Sequence, residues 1–500
     1  MKNKILFWVD SFLLHYCIAY YLQKKIDSDI FAIIDITEKP KKFFLNQKLV
    51  DFKNFWFYHD YINMNSKPDL SYLSRFEEKY NIDLWKLAIN ERLFYRFNNF
   101  YHFSDDEILK ILENECKFFE KILDESKPDF FIAERPAYHH NSLLYELCRA
   151  KNIKTILLSQ SRLAYKSILG NHSYLLDSIN DYETIESKNR TSEELRDFLK
   201  SSSVSKQIKT FKKNFTTSRT KKVQAANEFL FLSGNENLKT HYSYFGRTKP
   251  KVLSYAITSS LKKKYRTNFI NQNLLSKIEK TEKFVYFPLA MDEERNLLVG
   301  APYFTNQIET IRHIAKSIPI DHKLYVKEHY NVSIRDWRPI TDYKEIINIP
   351  NVRFFHPSVS NDDLLQKSSL VITVGGTSGF EAAFYGKPSI ILTDTNYAVL
   401  PSVHRVKSLD ELPTTIRNAL KHTVDPNSID KFIQILDKDS FDFDLYGFMT
   451  KMHEHFYYDG NLVNVEISDF KMKSFLESNQ NELEYLADMH KNKLVEYSKK

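Results

Sequence analysis

The sequence predicts an α/β protein built from two parallel-sheet domains with a helical region inserted between them. Three observations carry that prediction. Five hundred residues are too many for one compact core and suggest two domains of about 200 residues each. Strand and helix patterns alternate twice, through 5–160 and again through 284–420, as they do where a sheet is parallel. Between those blocks, from about 183 to 275, the chain is charged, helical in period and poor in strand signal.

Taken in order, Ile5–Asp10 reads as a strand, Phe12–Lys25 as a helix and Ile30–Ile36 as a strand. The apolar run Ile5–Leu22 has some look of an export signal. It contains Asp10 and His15, lacks a small-residue cleavage site and gives way to Lys24-Lys25, so a buried strand followed by an amphipathic helix is the better reading. No other run of about 18 apolar residues exists, and no membrane span is expected. The aromatic stretch 40–103 is expected to be a helical insertion. Glu107–Glu125 is a helix broken by Lys127-Pro128; Phe130–Ala133 is a strand, Ser142–Lys151 a helix and Thr155–Leu158 a strand. The second block supplies strands at Phe284–Pro288, Lys323–Lys327, Val352–Phe355, Leu370–Val374 and Ser389–Leu392. Helices at 306–317, 362–366, 378–385 and 409–420 separate them. The expected division is 1–182 for the first domain, 183–282 for the helical bridge, 283–423 for the second domain and 424–500 for a helical tail returning toward the first.

Hydrophobic residues at 42% and aromatics at 14% exclude a disordered or fibrous chain. Cys17, Cys116 and Cys148 are far apart with no CxxC pair, which speaks against a disulfide framework or zinc ribbon and for a reducing, cytoplasmic setting. Net charge is a mild +7. Basic residues nevertheless gather at 206–222 (Lys206, Lys209, Lys212, Lys213, Arg219, Lys221, Lys222) and at 262–266, with Arg247 and Lys251 between. The ordinary reading is a solvated helical face; the functional one is peripheral contact with anionic lipid at the inner face of the membrane, or with an acidic acceptor. No nucleic-acid recognition motif accompanies the charge, and no nucleic-acid partner is expected.

The chain has ten glycines, and Gly375, Gly376, Gly379 and Gly386 fall within twelve residues, in Val374-Gly-Gly-Thr-Ser-Gly-Phe-Glu381 and just beyond. A β-branched strand runs into this turn and then into a helix. Glycine allows positive φ and close approach of a ligand, and amides at the helix start with the Thr377 and Ser378 hydroxyls suit an anion. The spacing is neither GxGxxG nor a P-loop. A tight turn needing glycine only for packing is the competing reading. About 45 residues earlier, a strand ends in Lys327-Glu328-His329, where open α/β sheets bind ligands; Lys327 and His329 could neutralise a phosphate leaving group.

Ala301–Gln307, Lys316–Pro319, Leu324–His329, Asn351-Val352 and Thr373–Ala382 together resemble the C-terminal half of the capsular polysaccharide biosynthesis transferases, a group that includes Kdo transferases. The resemblance covers roughly 283–422, with fainter echoes at 129–162. It implies a GT-B fold, two Rossmann-like domains facing across a cleft, and metal-independent transfer of a sugar from a nucleotide-sugar, a CMP-sugar favoured, onto a surface polysaccharide or lipid-linked acceptor. The nucleotide-sugar is then a substrate, and no cofactor or metal is expected. Related sialyl- and polysialyltransferases hold the phosphate with a His-Pro pair and a Ser/Thr pair. His329 and Thr377-Ser378 match these, with Tyr330 in the place of the proline. Lys327, Glu328, His329, Gly375, Gly376, Thr377, Ser378, Gly379 and Glu381 are accordingly the candidate donor-binding residues.

The facing half-site must come from the first domain. Asp10, Glu134-Arg135, His139-His140 and Ser159–Arg162 all follow expected strands. A carboxylate is needed to take the acceptor's proton or to act as nucleophile; Glu134 suits either role and Asp10 is second. A structural cap or salt bridge is the plain alternative for each. Three other functions fit similar architectures: a CDP-glycerol-type polyol-phosphate transferase, a non-hydrolysing sugar-nucleotide epimerase, and a non-catalytic glycan-binding or scaffold protein.

Overall fold

The computed structural model describes residues 2–94, 96–161, 163, 165–202, 218–279, 281–333 and 338–499. The chain enters at the middle of a seven-stranded sheet of order β13-β6-β5-β4-β1-β2-β3. Strands β1 (Asn3–Asp10), β2 (Ser28–Asp35), β3 (Phe52–Phe57), β4 (Phe130–Glu134) and β5 (Lys154–Gln160) are parallel, with Ile5 opposite both Ile30 and Phe130. Helices cover both faces, so the β1 side chains Ile5 to Val9 are buried on both sides and read as one unbroken apolar run. At one end of the sheet, β6 (Ser167–Gly170) runs antiparallel to β5, and the edge strand β13 (Ser440–Phe441) antiparallel to β6.

A second, six-stranded sheet has the order β12-β11-β10-β7-β8-β9. It comprises β7 (Lys283–Pro288), β8 (His322–Lys327), β9 (Val352–Phe355), β10 (Leu370–Thr373), β11 (Ser389–Ile391) and β12 (Val403–Arg405), all parallel. In each sheet the first strand lies centrally, the next two are added on one side and the fourth on the other. The order reverses between β1 and β4, and between β7 and β10, so each sheet has a crevice there at its carboxyl end. These are two Rossmann-like domains.

The expectation of a helical 40–103 is corrected by β3. Trp56 is buried opposite Ile33, but Lys53 and Asn54 point outward on this edge strand and broke the apolar pattern. The tail is helical and joins the first domain. Helices Leu445–Phe456, Asp469–Ser478 and Gln480–Ser498 share a core with β1 and the Leu14–Leu22 helix, where Tyr21 donates to the Leu476 carbonyl at 2.8 Å. In the bridge, the Lys249–Asn273 helix is about 38 Å long by its residue count. It runs from Phe100, against Tyr255, to Tyr343 of the second domain, against Phe269. The Lys206–Lys213 part of the basic cluster lies outside the described residues.

Candidate active site

Asp10 ends β1 and Glu134 ends β4, so the two carboxyls flank the reversal point of the first sheet. The Phe12 amide donates to Asp10 Oδ1 at 2.9 Å, and Leu13, next in the turn, takes a left-handed φ of 58°. A non-glycine residue there is uncommon and marks a tightly determined backbone. Burial pushes Asp10 up to about 7, helped by the negative Asp35 nearby. Burial likewise pushes Glu134 up to about 8, with Asp10 adding to the rise and Arg295 opposing it. Two neighbouring carboxyls cannot both ionise cheaply in a desolvated crevice.

Across the cleft, the Gly375 turn occupies the reversal point of the second sheet. The glycines are there for packing: a Cβ on Gly375 would stand 2.6 Å from Thr393 Cγ2, and one on Gly379 would stand 2.8 Å from the Tyr397 hydroxyl. Of the four clustered glycines only Gly386 has a positive φ, 68°, at the end of the Ser378–Phe384 helix. The Gly376 amide is already used, donating to Thr373 Oγ1 at 2.9 Å, and its carbonyl accepts from Tyr397 at 2.5 Å. Thr377 and Ser378 are partly exposed at the helix start. Glu381 accepts from Asn361 at 3.2 Å, and Asn361 in turn accepts from the buried Tyr286 hydroxyl at 2.6 Å.

A small open pocket joins the two halves. Arg135 and Tyr174 line it from the first domain; Asn296, Gly300, Gly375 and the loop Thr393–Asn396 line it from the second. The Arg135 and Arg295 guanidiniums lie over the Tyr174 ring, at 5.4 and 5.0 Å from its centre. Arg295 also donates to the Pro136 carbonyl, Asn90 to Pro302 at 3.2 Å and Arg96 to Thr305 at 3.1 Å, and these bonds tie the two domains together. Sequence reading singled out Arg135 only as a neighbour of Glu134, and missed Tyr174, Arg295 and the Thr393–Asn396 loop. Tyr174 and the Thr393–Asn396 loop sit on irregular connections and Arg295 starts the short helix Arg295–Leu298, none of them in a motif.

Lys327, Glu328 and His329 end β8, which β7 separates from β10. They are not among the residues lining this cavity. Glu328 is fully buried and bridges to Arg338 at 3.1 Å, and Arg338 reaches Asp292 at 3.3 Å, so its carboxylate serves an internal ion pair. His329 accepts from the Asn331 amide at 3.3 Å, and its ring lies 4.3 Å from that of Tyr330. Of the Ser159–Arg162 candidates, Gln160 accepts from Leu445 and donates to Lys166, a tie to the tail; Arg162 lies outside the described residues.

Residues 181–417 match a family model described as capsule polysaccharide biosynthesis protein. That stretch belongs to the capsule polysaccharide biosynthesis family. No curated protein matches the chain. Among solved structures, the chain is similar to Thermosulfurimonas dismutans KpsC, beta Kdo 2,7 transferase, at 10% identity and a TM-score of 0.30, covering 64% of this chain and 80% of that one. It is also similar to the UDP-GlcNAc 2-epimerase from Neisseria meningitidis bound to UDP-GlcNAc, at 14% identity and a TM-score of 0.25, covering 86% of this chain and 94% of that one. With scores this low, the two strand orders themselves carry the fold assignment.

Beneath the cleft runs a buried polar chain. His139, at the start of the His139–Ala150 helix, is held through Nδ1 to Glu91 at 2.8 Å and through Nε2 to Glu115 at 3.0 Å. Tyr58 donates to Glu115 and lies 2.8 Å from the Tyr242 hydroxyl, which is 3.4 Å from His140. His140 and His59 flank Asp35 at 3.5 and 3.1 Å. Burial alone would lower His139, but Glu115 and Glu91 outweigh it and lift it to about 10, so the ring is an imidazolium between two anions. Burial would raise Asp35, yet the His140 and His59 contacts hold it well below the usual carboxylate range. The carboxylate partners of His139 and His140 arrive from Glu91, Glu115 and Asp35, on remote segments that local spacing does not reveal. Glu115, His139 and His140 offer atoms within 4.8 Å of one another, a spacing that could hold a metal. Both His139 nitrogens are already engaged by carboxylates, which disfavours ligation.

Proposed function

We propose that the protein is a glycosyltransferase that binds a nucleotide-sugar in the cleft and passes the sugar to a surface polysaccharide or lipid-linked acceptor. The observation that carries this reading is the pocket between the carboxyl ends of two parallel sheets, with Arg135 on one wall and Gly375 on the other. Its position suits a nucleotide-sugar. The leaving phosphate would meet Arg135, Arg295 and the Gly375–Ser378 turn. Such preset cations and dipoles stabilise the charge that develops as the bond to phosphate breaks, and transfer would proceed without a metal.

Glu134 and Asp10 supply the proton chemistry. In a single displacement the acceptor oxygen attacks the anomeric carbon, the nucleotide leaves with the bonding electrons, and a carboxylate takes the hydroxyl proton. In a double displacement Glu134 attacks first and the acceptor then displaces it. The anomeric configuration of the product tells these apart. A CMP-sugar is the favoured donor on the resemblance of His329 and Thr377-Ser378 to CMP-sugar enzymes.

Thermal shift of the purified chain with CMP, CDP, UDP and GDP, followed by donor hydrolysis in EDTA with the matching sugar nucleotides, tests the reading. A shift with one nucleotide and slow EDTA-resistant hydrolysis is expected. No shift with any nucleotide sinks it. A shift without turnover on any donor leaves the non-catalytic alternative, and turnover of CDP-glycerol alone gives the polyol-phosphate transferase.

A further inference from the structure

The Lys249–Asn273 helix carries a short apolar stripe that faces solvent rather than the core. Leu253, Ile257, Leu261 and Tyr265 recur every four residues and are 46, 65, 65 and 69% exposed. Each four-residue step advances the position around the helix by about 40°, so the four form one stripe about 120° wide. That is the width of apolar face a surface helix ordinarily turns toward its core. Here the contacts lie on the other side. Val252, Ser259 and Arg266 are partly buried and Ile270 is buried, and these positions cluster about 180° from the centre of the stripe. The side chains that would normally seat the helix face water.

Charge says what covers the stripe. The helix carries Lys249, Lys251, Lys262, Lys263, Lys264 and Arg266 and no Asp or Glu. Lys264 falls within the stripe, and Lys251 and Lys262 fall along one flank by the same wheel; all three are exposed. Two copies meeting stripe to stripe would bring these like charges together. A surface of anionic headgroups neutralises them while its acyl boundary takes Leu253, Ile257, Leu261 and Tyr265. The adjoining turn Glu228–Leu232, tied to this helix by Lys249 donating to the Leu230 carbonyl at 2.8 Å, adds Phe231 and Leu232 at 79 and 68% exposure. No helix among the described residues is long and apolar enough to cross a membrane, so the contact would be peripheral.

We propose that the Lys249–Asn273 helix docks the protein on an anionic lipid surface, with its outward apolar stripe in the headgroup–acyl boundary and its lysines among the headgroups. This sharpens the expectation placed on 262–266 from charge alone, and stands whether or not the cleft transfers sugar.

Co-sedimentation of the purified full chain with vesicles tests it, using phosphatidylcholine alone and phosphatidylcholine with about a third phosphatidylglycerol. Binding to the anionic vesicles, weakening with salt and at least about tenfold poorer on the zwitterionic ones, is expected. The pair Ile257→Glu with Leu261→Glu should lower anionic-vesicle binding about tenfold or more with the melting temperature unchanged, because both side chains are exposed. Replacing Lys262, Lys263 and Lys264 with Gln should lower anionic binding without changing melting. Absence of binding to anionic vesicles overturns the proposal, as does equal binding to both kinds or binding that survives the stripe variant. A concentration-dependent dimer that the stripe variant abolishes, seen without vesicle binding, assigns the face to a second copy instead.

Discussion

Gly375 and Thr393 are packed so closely that a methyl group on the glycine would stand 2.6 Å from Thr393 Cγ2, at the wall of the interdomain cavity. Gly375→Ala must therefore displace the Thr393 side chain at the cavity wall. A loss of about 1–3 kcal/mol is expected, together with loss of the nucleotide-induced thermal shift. Adding Thr393→Ser removes the colliding methyl and keeps the hydroxyl that donates to the Gly300 carbonyl at 2.6 Å. The double variant should recover both stability and shift. A nucleotide shift that survives Gly375→Ala unchanged would place the donor elsewhere.

Glu134→Gln keeps the shape of the β4 end and removes its acid–base capacity. Donor turnover should fall by about 10²- to 10⁴-fold while the nucleotide shift persists. Asp10→Asn should give a smaller loss. Equal activity of wild type and Glu134→Gln in an initial-rate assay means the proton is handled by another group.

The raised pKa of Glu134 also has a sign in stability. An acid that holds its proton more tightly when folded, here up to about 8, makes stability fall as pH rises from the ordinary carboxyl range through about 8. Glu134→Gln removes that fall. Its melting temperature should match or slightly trail wild type at pH 5 and exceed it at pH 8, by an amount worth about 2–4 kcal/mol. Parallel melting curves at both pH values contradict the assignment.

His139 between Glu91 and Glu115 gives a slope of the same sign at higher pH, from the loss of a stabilising cation rather than the gain of a buried anion. A base held at about 10 contributes fully below its ordinary value near 6.5 and progressively loses that contribution as pH rises through about 10. His139→Gln leaves two buried carboxylates without a cation and should cost about 3–5 kcal/mol at pH 7. Denaturant titrations at pH 6, 8 and 10 should show the gap from wild type narrowing as pH rises.

Much of the fold was legible because parallel strands buried on both faces read as plain apolar runs. Ile5–Val9, Phe130–Ala133 and Leu370–Thr373 are such runs. Strands β3, β6, β12 and β13 were not, since an edge strand exposes polar side chains and two to four residues carry no period. Of the candidate site, Asp10, Glu134 and Gly375 stand at the two reversal points, as strand-end reasoning expected. Glu328 was misplaced by the same reasoning: a strand-end position does not tell an ionised side chain aimed at the crevice from one turned inward to Arg338.

By itself the sequence determined two α/β domains, the strand ends that can carry chemistry and the bridging helix between them, because these depend on burial patterns and residue types along short stretches. Only the tertiary structure decided which ends meet. Strand order puts β7 between Lys327 and Gly375, folds the tail into the first core, assembles Arg135, Tyr174 and Arg295 about one cavity, and encloses His139 with Glu91 and Glu115 from remote segments. Those relations are set by packing between distant parts of the chain, and local periodicity records none of them.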